Sequence, residues 1–176
     1  KWKIADNIRR SLVAPSLVLL LCMGWLMLPY PWLWTSCVIA VFVVPILLNS
    51  TWHLLHKPKD VDMKPHLREF AWKTWENFLI ELFYIACLPY EAWQHLDAIG
   101  RTIWRMTFSK KHLLQWVHSG VLAHKKSPTL LGTYAGMWTA PVTTLVIGIF
   151  LYNQSIDSFF VALPVLVLWL IAPGIV

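Results

Sequence analysis

Residues 12–28 read LVAPSLVLLLCMGWLML, seventeen in a row without a charge, and residues 33–48, LWTSCVIAVFVVPILL, repeat the pattern beyond a Pro29-Tyr30-Pro31-Trp32 junction. Each run is near the lower limit of about 17 residues that lets a helix cross the hydrocarbon layer. The two prolines make the turn, and Tyr30, Trp32 and Trp34 bring amphipathic rings to the level where lipid meets water. This stretch predicts a transmembrane helical hairpin. Pro15 and Pro45 inside the runs are compatible with it, because neighbouring helices can satisfy the carbonyls that a proline frees.

The charges around the hairpin follow the same logic. All fifteen Lys and Arg residues lie in Lys1 to Arg10 or in Lys57 to Lys126, and the apolar stretches outside these carry none. A soluble protein mixes both signs along its surface, whereas a bilayer segregates basic residues to its inner side. With 57% hydrophobic residues, 14% charged residues and twelve Trp, and a mean hydropathy of +0.55, the composition excludes an ordinary soluble domain. The net charge of +6 therefore points to anionic lipid headgroups as the partner. Nucleic acid is not an expected partner, because the Trp residues follow membrane edges and helix faces without forming a basic aromatic groove.

A second hairpin closes the chain. Leu130 to Tyr152 and Ser158 to Val176 are uncharged, and Asn153-Gln154-Ser155-Ile156-Asp157 makes a polar turn between them. The expected fold is all-α and membranous, with four transmembrane helices as two hairpins and amphipathic cytoplasmic interfacial helices between them. Its units are residues 1–50 (basic start and first hairpin), 51–128 (cytoplasmic interfacial helices) and 129–176 (second hairpin). With four spans every Lys and Arg is cytoplasmic, as are both ends, in a multi-pass membrane protein. The chain lacks an initiator Met and stops within apolar sequence, so it reads as a segment of a larger polypeptide.

Phe70 to Ala98 is apolar enough to suggest a further span, but it contains Lys73, Glu76, Glu81, Glu91 and Asp97. Each charge at a helix centre costs about 2.5–3.5 kcal/mol on insertion scales. The positions Phe70, Ala71, Trp75, Phe78, Leu79, Leu82 and Phe83 recur at helical spacing with the charges off the stripe, which predicts a helix lying on the inner face. Pro89 is expected to end it, a second helix to follow through Met106, and a third to run from Lys110 to about Ala123. The membrane-interface residues of this arrangement are Arg9, Arg10, Trp32, Trp34, Trp72, Trp75, Arg105 and Trp116.

Chemistry-bearing motifs are few. Asp60-Val61-Asp62 has the form of a glycosyltransferase metal motif but lacks the buried strand such a motif needs, and reads as a solvated loop. The seven histidines lie between His53 and His124 without the spacing or companions of a metal site. No nucleophile elbow, P-loop or dinucleotide fingerprint is present, so neither catalytic nor metal-binding residues are expected. The three cysteines form no CxxC pair. Tyr90, Glu91, Trp93, Asp97, Arg101 and Trp104 are the candidate substrate-binding residues: indoles stack on the apolar faces of sugar rings, and the charged groups bond hydroxyls. The same aromatics also suit membrane anchoring.

Several motifs in order resemble the membrane region of bacterial cyclic β-1,2-glucan synthases. They are Asp6-Asn7-Ile8-Arg9-Arg10-Ser11-Leu12-Val13-Ala14-Pro15, Gly24-Trp25, Leu88-Pro89-Tyr90-Glu91-Ala92-Trp93, Leu96-Asp97-Ala98-Ile99, Arg101-Thr102-Ile103-Trp104-Arg105 and His112-Leu113-Leu114-Gln115-Trp116. The closing Leu168-Trp169-Leu170-Ile171-Ala172-Pro173 resembles that family's last span. The resemblance implies a large inner-membrane enzyme with a glycosyltransferase domain before this segment and a glycoside-phosphorylase-like domain after it. It implies UDP-glucose and a divalent metal, Mg or Mn, for the parent enzyme, with no cofactor in this segment and all catalytic residues outside it. The segment itself would then be a membrane-anchoring and interfacial module, with the bilayer, the two domains and a glucan chain as partners. Two alternatives stand beside it. One is a polysaccharide-conducting module, with Thr35, Thr139, Thr143, Thr144 and Trp138 facing a shared lumen; the other is an unrelated four-span anchor or transport subunit.

Overall fold

The computed structural model describes residues 2–55, 63–109 and 129–175. Six α-helices account for nearly all of them: α1 (Trp2–Leu26), α2 (Pro31–Leu55), α3 (Met63–Trp104), α4 (Leu130–Gly136), α5 (Thr139–Gln154) and α6 (Ile156–Ile175). One π-helical turn, Arg105–Ser109, continues α3. Asp6–Leu26, Pro31–Trp52 and Ile156–Ile175 are each long and apolar enough to cross a membrane, and α4 with α5 makes a fourth span if the pair, bent by 70°, is taken as one. The all-α membrane fold with its paired apolar helices is therefore present.

The first hairpin closes tightly for local reasons. A Cβ added at Gly24 would sit 2.5 Å from the Cβ of Trp34, so only glycine lets α1 and α2 approach there. Tyr30, between two prolines, takes a positive φ of 58°, a left-handed conformation that costs a residue with a side chain roughly 1–2 kcal/mol. The hairpin is pinned by polar bonds: Trp25 Nε1 donates to Thr35 Oγ1 at 2.8 Å, that hydroxyl donates to the Pro31 carbonyl at 3.0 Å, and Trp34 Nε1 donates to the Pro29 carbonyl at 3.1 Å.

Residues 130–152, expected as one continuous helix, are instead broken after Gly136. Pro141 supplies the reason: it has no N–H for the Met137 carbonyl and its ring would collide with that group in an unbroken helix. Placed in the first turn of α5, the same proline costs no hydrogen bond. Thr129 caps α4, its side chain accepting from the Gly132 N–H at 3.3 Å.

Pro89 does not end its helix, contrary to the sequence expectation. α3 runs through it for 42 residues. The proline frees the carbonyl four residues earlier, on Ile85, and Trp169 Nε1 from α6 donates to that oxygen at 3.0 Å in a buried setting. A tertiary donor thus replaces the missing backbone N–H, as prolines in membrane helices require. Around this bond residues 85–89 are buried, and Ile85, Leu88 and Ala92 share one core with Leu21, Trp25 and Trp169. Apolar burial against lipid gives little gain, so close packing and these few polar bonds specify the arrangement.

The contacts also fix directions. Ser50 and Thr74 hydroxyls meet at 3.0 Å, and the rings of Phe42 and Tyr84 lie 6.2 Å apart, so α3 runs antiparallel to α2 alongside its membrane span. Trp25, near the turn end of α1, meets Trp169 at 5.8 Å; Met137 packs in one cluster with Ala172, Ala86 and Cys87. The start of α5 and the end of α6 therefore lie at the Pro29–Tyr30 end of the bundle. The turn at 153–157 lies at the other end. The expected arrangement has both turns on one side, whereas the bundle places them at opposite ends, with the middle of α3 running between. Only the first and last turns of α3 extend past the spans as amphipathic helix. The expected helix at 110–123 and the Asp60-Val61-Asp62 motif lie outside the described residues.

Candidate functional site

The candidate substrate-binding residues all fall in the second half of α3. At 3.6 residues per turn, Tyr90, Trp93, Asp97, Arg101 and Trp104 occupy an arc of about 80° and a length of about 21 Å, one stripe with aromatic groups at its ends and a charged pair between them. Glu91 lies off the stripe, on the adjacent face with His95.

Local pairs hold the stripe's side chains. Arg101 Nε meets the Asp97 carboxylate at 2.8 Å, and His95 Nε2 lies 3.4 Å from Glu91 Oε2; both are one-turn pairs along the helix. Trp93 meets the ring of Trp138 edge-on at 5.8 Å, joining the stripe to the start of α5. Trp104 stacks on Phe108 of the π-helical turn at 4.6 Å. Tyr90 is half-buried against the Met137 and Ala172 cluster, so it is packing at the inner end of the stripe, while Trp93 and Trp104 stay exposed. The chemistry available is that of an exposed ledge: two part-exposed indoles about 16 Å apart along the axis, with a carboxylate and a guanidinium between them that pair with each other.

The interface residues are divided between the two ends of the bundle. Arg9 and Arg10 both reach Asp6, at 2.9 and 3.0 Å, on the exposed start of α1. Trp72 and Trp75 lie on the early part of α3, Trp75 stacked on Phe78 at 5.9 Å, beside the last turns of α2. Lys73 meets Glu69 at 2.6 Å. The hydrogen bond and charge of Lys73 hold the Glu69 carboxyl below its ordinary range, and the carboxylate raises Lys73 in turn. Trp32 and Trp34 mark the opposite, turn end of the first hairpin, and Arg105 lies beyond it, exposed. Trp116 lies outside the described residues.

Sequence reasoning passed over the buried centre. Trp25, Trp169, Thr35 and Pro89 form its polar framework, and two signals pointed to it: indoles deep within apolar runs, whose N–H must find an acceptor, and a proline whose partner carbonyl must find a donor. The threonines of the conducting alternative are mostly satisfied on their own helices. Thr143 donates to the Thr139 carbonyl at 2.7 Å and Thr144 to the Ala140 carbonyl at 2.8 Å, while the buried Thr139 hydroxyl has no partner. Among the described residues no three His, Cys, Asp or Glu side chains form a group able to hold a metal ion.

No protein-family profile matches the chain. Among curated proteins it is similar to the cyclic β-(1,2)-glucan synthase NdvB of Rhizobium meliloti (strain 1021), with 26% identity over 178 aligned positions. The alignment covers 99% of this chain and 6% of that protein, so the chain spans a small part of its relative's length.

Proposed function

We propose that this segment is the membrane-anchoring and interfacial module of a cyclic β-1,2-glucan synthase, positioning catalytic domains that lie elsewhere in the parent polypeptide. The observation that carries the reading is the end-to-end alignment: 99% of the chain is matched by one stretch of a glucan synthase, so the similarity is to the helical bundle as a unit. In this reading the parent resides in a bacterial inner membrane with the basic start of α1 on the cytoplasmic side. A glycosyltransferase domain using UDP-glucose with Mg or Mn extends the glucan, and a phosphorylase-like domain trims it. The bundle contributes position, and the stripe from Trp93 to Trp104, at the Pro29–Tyr30 end and so across the membrane from the start of α1, is placed to meet glucan only on the far side.

The conducting alternative needs hydroxyls turned toward a common lumen. Thr143 and Thr144 instead bond their own backbones, which favours anchoring.

The test is synthesis by the parent polypeptide. Membrane vesicles containing it are given radiolabelled UDP-glucose, and label is followed first on protein and then in neutral cyclic glucan. Released rings are the expected result. An intact parent that incorporates no glucose would overturn the reading and leave an anchor or transport subunit.

A further inference from the structure

Where α2 and α3 diverge, an apolar groove of about 350 Å³ opens between Val43, Ile46 and Leu47 on one side and Phe70, Trp75 and Phe78 on the other. Its one hydroxyl, on Thr74, is already bonded to Ser50, so nothing in it asks for a polar ligand. Through Ala71 and Trp75 the groove continues into a wider cleft of about 690 Å³ lined by Arg68, Glu69 and Trp72. Glu69 is bound to Lys73, whereas Arg68 has no carboxylate partner among the described residues. Lys64, one turn earlier on the same face, has none either.

We propose that this continuous groove and cleft bind one anionic phospholipid, with the phosphate at Lys64 and Arg68, the glycerol region against Trp72 and Trp75, and an acyl chain between α2 and Phe78. The order along α3 is that of the lipid itself: cations, then indoles, then an apolar trough. From Lys64 to Phe78 is fourteen residues, about 21 Å of helix, and one leaflet with its headgroup is about 20–22 Å thick. A guanidinium matches a phosphate with two parallel hydrogen bonds, and a charge that no carboxylate among the described residues offsets selects an anionic headgroup over a zwitterionic one. This assignment does not rest on the glucan synthase reading.

Native mass spectrometry of the intact polypeptide in detergent, titrated with phosphatidylglycerol, with phosphatidylcholine of the same chains and with inorganic phosphate, tests it. One saturable phosphatidylglycerol is expected, with phosphatidylcholine at least about tenfold weaker, since each basic group near an anionic headgroup contributes about fivefold. The Lys64→Gln/Arg68→Gln double variant should lose about twentyfold for phosphatidylglycerol alone, Arg68→Lys should keep the charge-dependent part of the preference but lose the two-bond fit, and Ile46→Trp, which fills the trough, should weaken both lipids. Equal affinity for the two lipids in the unaltered protein would overturn the proposal, as would full phosphatidylglycerol binding by a helical double variant. Competition by inorganic phosphate at lipid-like concentrations would reassign the cleft to free anions and equally overturn it.

Discussion

The indole N–H of Trp169 and the ring of Pro89 are two halves of one interaction. Pro89 removes a donor from α3 and Trp169 returns one to the Ile85 carbonyl. Trp169→Phe keeps most of the ring packing but orphans that carbonyl in a buried site, at a cost of about 1–3 kcal/mol. Thermal unfolding in detergent should show the loss. It should shrink when Pro89→Ala is combined with it, because the restored N–H at position 89 then serves the carbonyl; additive effects of the two substitutions would show that the bond is incidental. Gly24 is the second sensitive position. Gly24→Ala places a methyl against Trp34 and should lower stability by about 1–3 kcal/mol, the usual cost of overpacking, while Gly100, with nothing within 4 Å of an added Cβ, should accept Ala without loss.

Along the helices, the sequence pattern predicted well wherever one local rule dominated. The uncharged runs at 12–28 and 33–48 became α1 and α2 because no competing signal interrupts them, and the prolines at 29 and 31 sit where the turn forms. The pattern misled where local and tertiary demands compete. Pro89 is a helix breaker in isolation, and only α6, arriving from the far end of the chain, reverses that. The break before α5 was readable from Pro141, yet it was masked by an apolar stretch that looks like a single span. The residues of the stripe on α3 were picked out in the sequence by their chemistry, but their alignment on one face needs the unbroken helix through Pro89, and the division into packed Tyr90 and exposed Trp93 and Trp104 depends on Met137 and Ala172. If the stripe carries glucan, Trp104→Ala should reduce synthesis severalfold in vesicles by removing a stacking surface of about 1–3 kcal/mol, by analogy with base stacking. Membrane insertion, assayed by carbonate extraction, should be unchanged. Unaltered synthesis in that variant would return Trp104 to an anchoring role.

For the molecule as a whole, the decisive feature is that the two hairpin turns lie at opposite ends of the bundle, joined by α3. In a background with Cys22, Cys37 and Cys87 replaced, a single cysteine at Tyr30 and another at Asn153 should react with a membrane-impermeant maleimide from opposite sides of sealed vesicles. Labelling from the same side would be incompatible with the packing of α3 between α2 and α6. Charge rules alone favoured a common side because Glu76, Glu81 and Glu91 count against insertion one residue at a time. In the bundle, Glu91 has His95 within reach and residues 85–89 of α3 are buried against neighbouring helices, so the middle of α3 is held by protein packing that a residue-by-residue count leaves out.

The bond between Trp169 and Ile85 also orders the protein's synthesis. Its partners are 84 residues apart, so at about 5–20 residues per second a ribosome needs roughly 4–17 s to supply the indole after the carbonyl has been made. During that interval the Ile85 carbonyl lacks the donor it has in the finished bundle, so the middle of α3 needs a temporary partner from water, a lipid headgroup or the insertion machinery. Completion of the last helix releases that partner and locks the bundle.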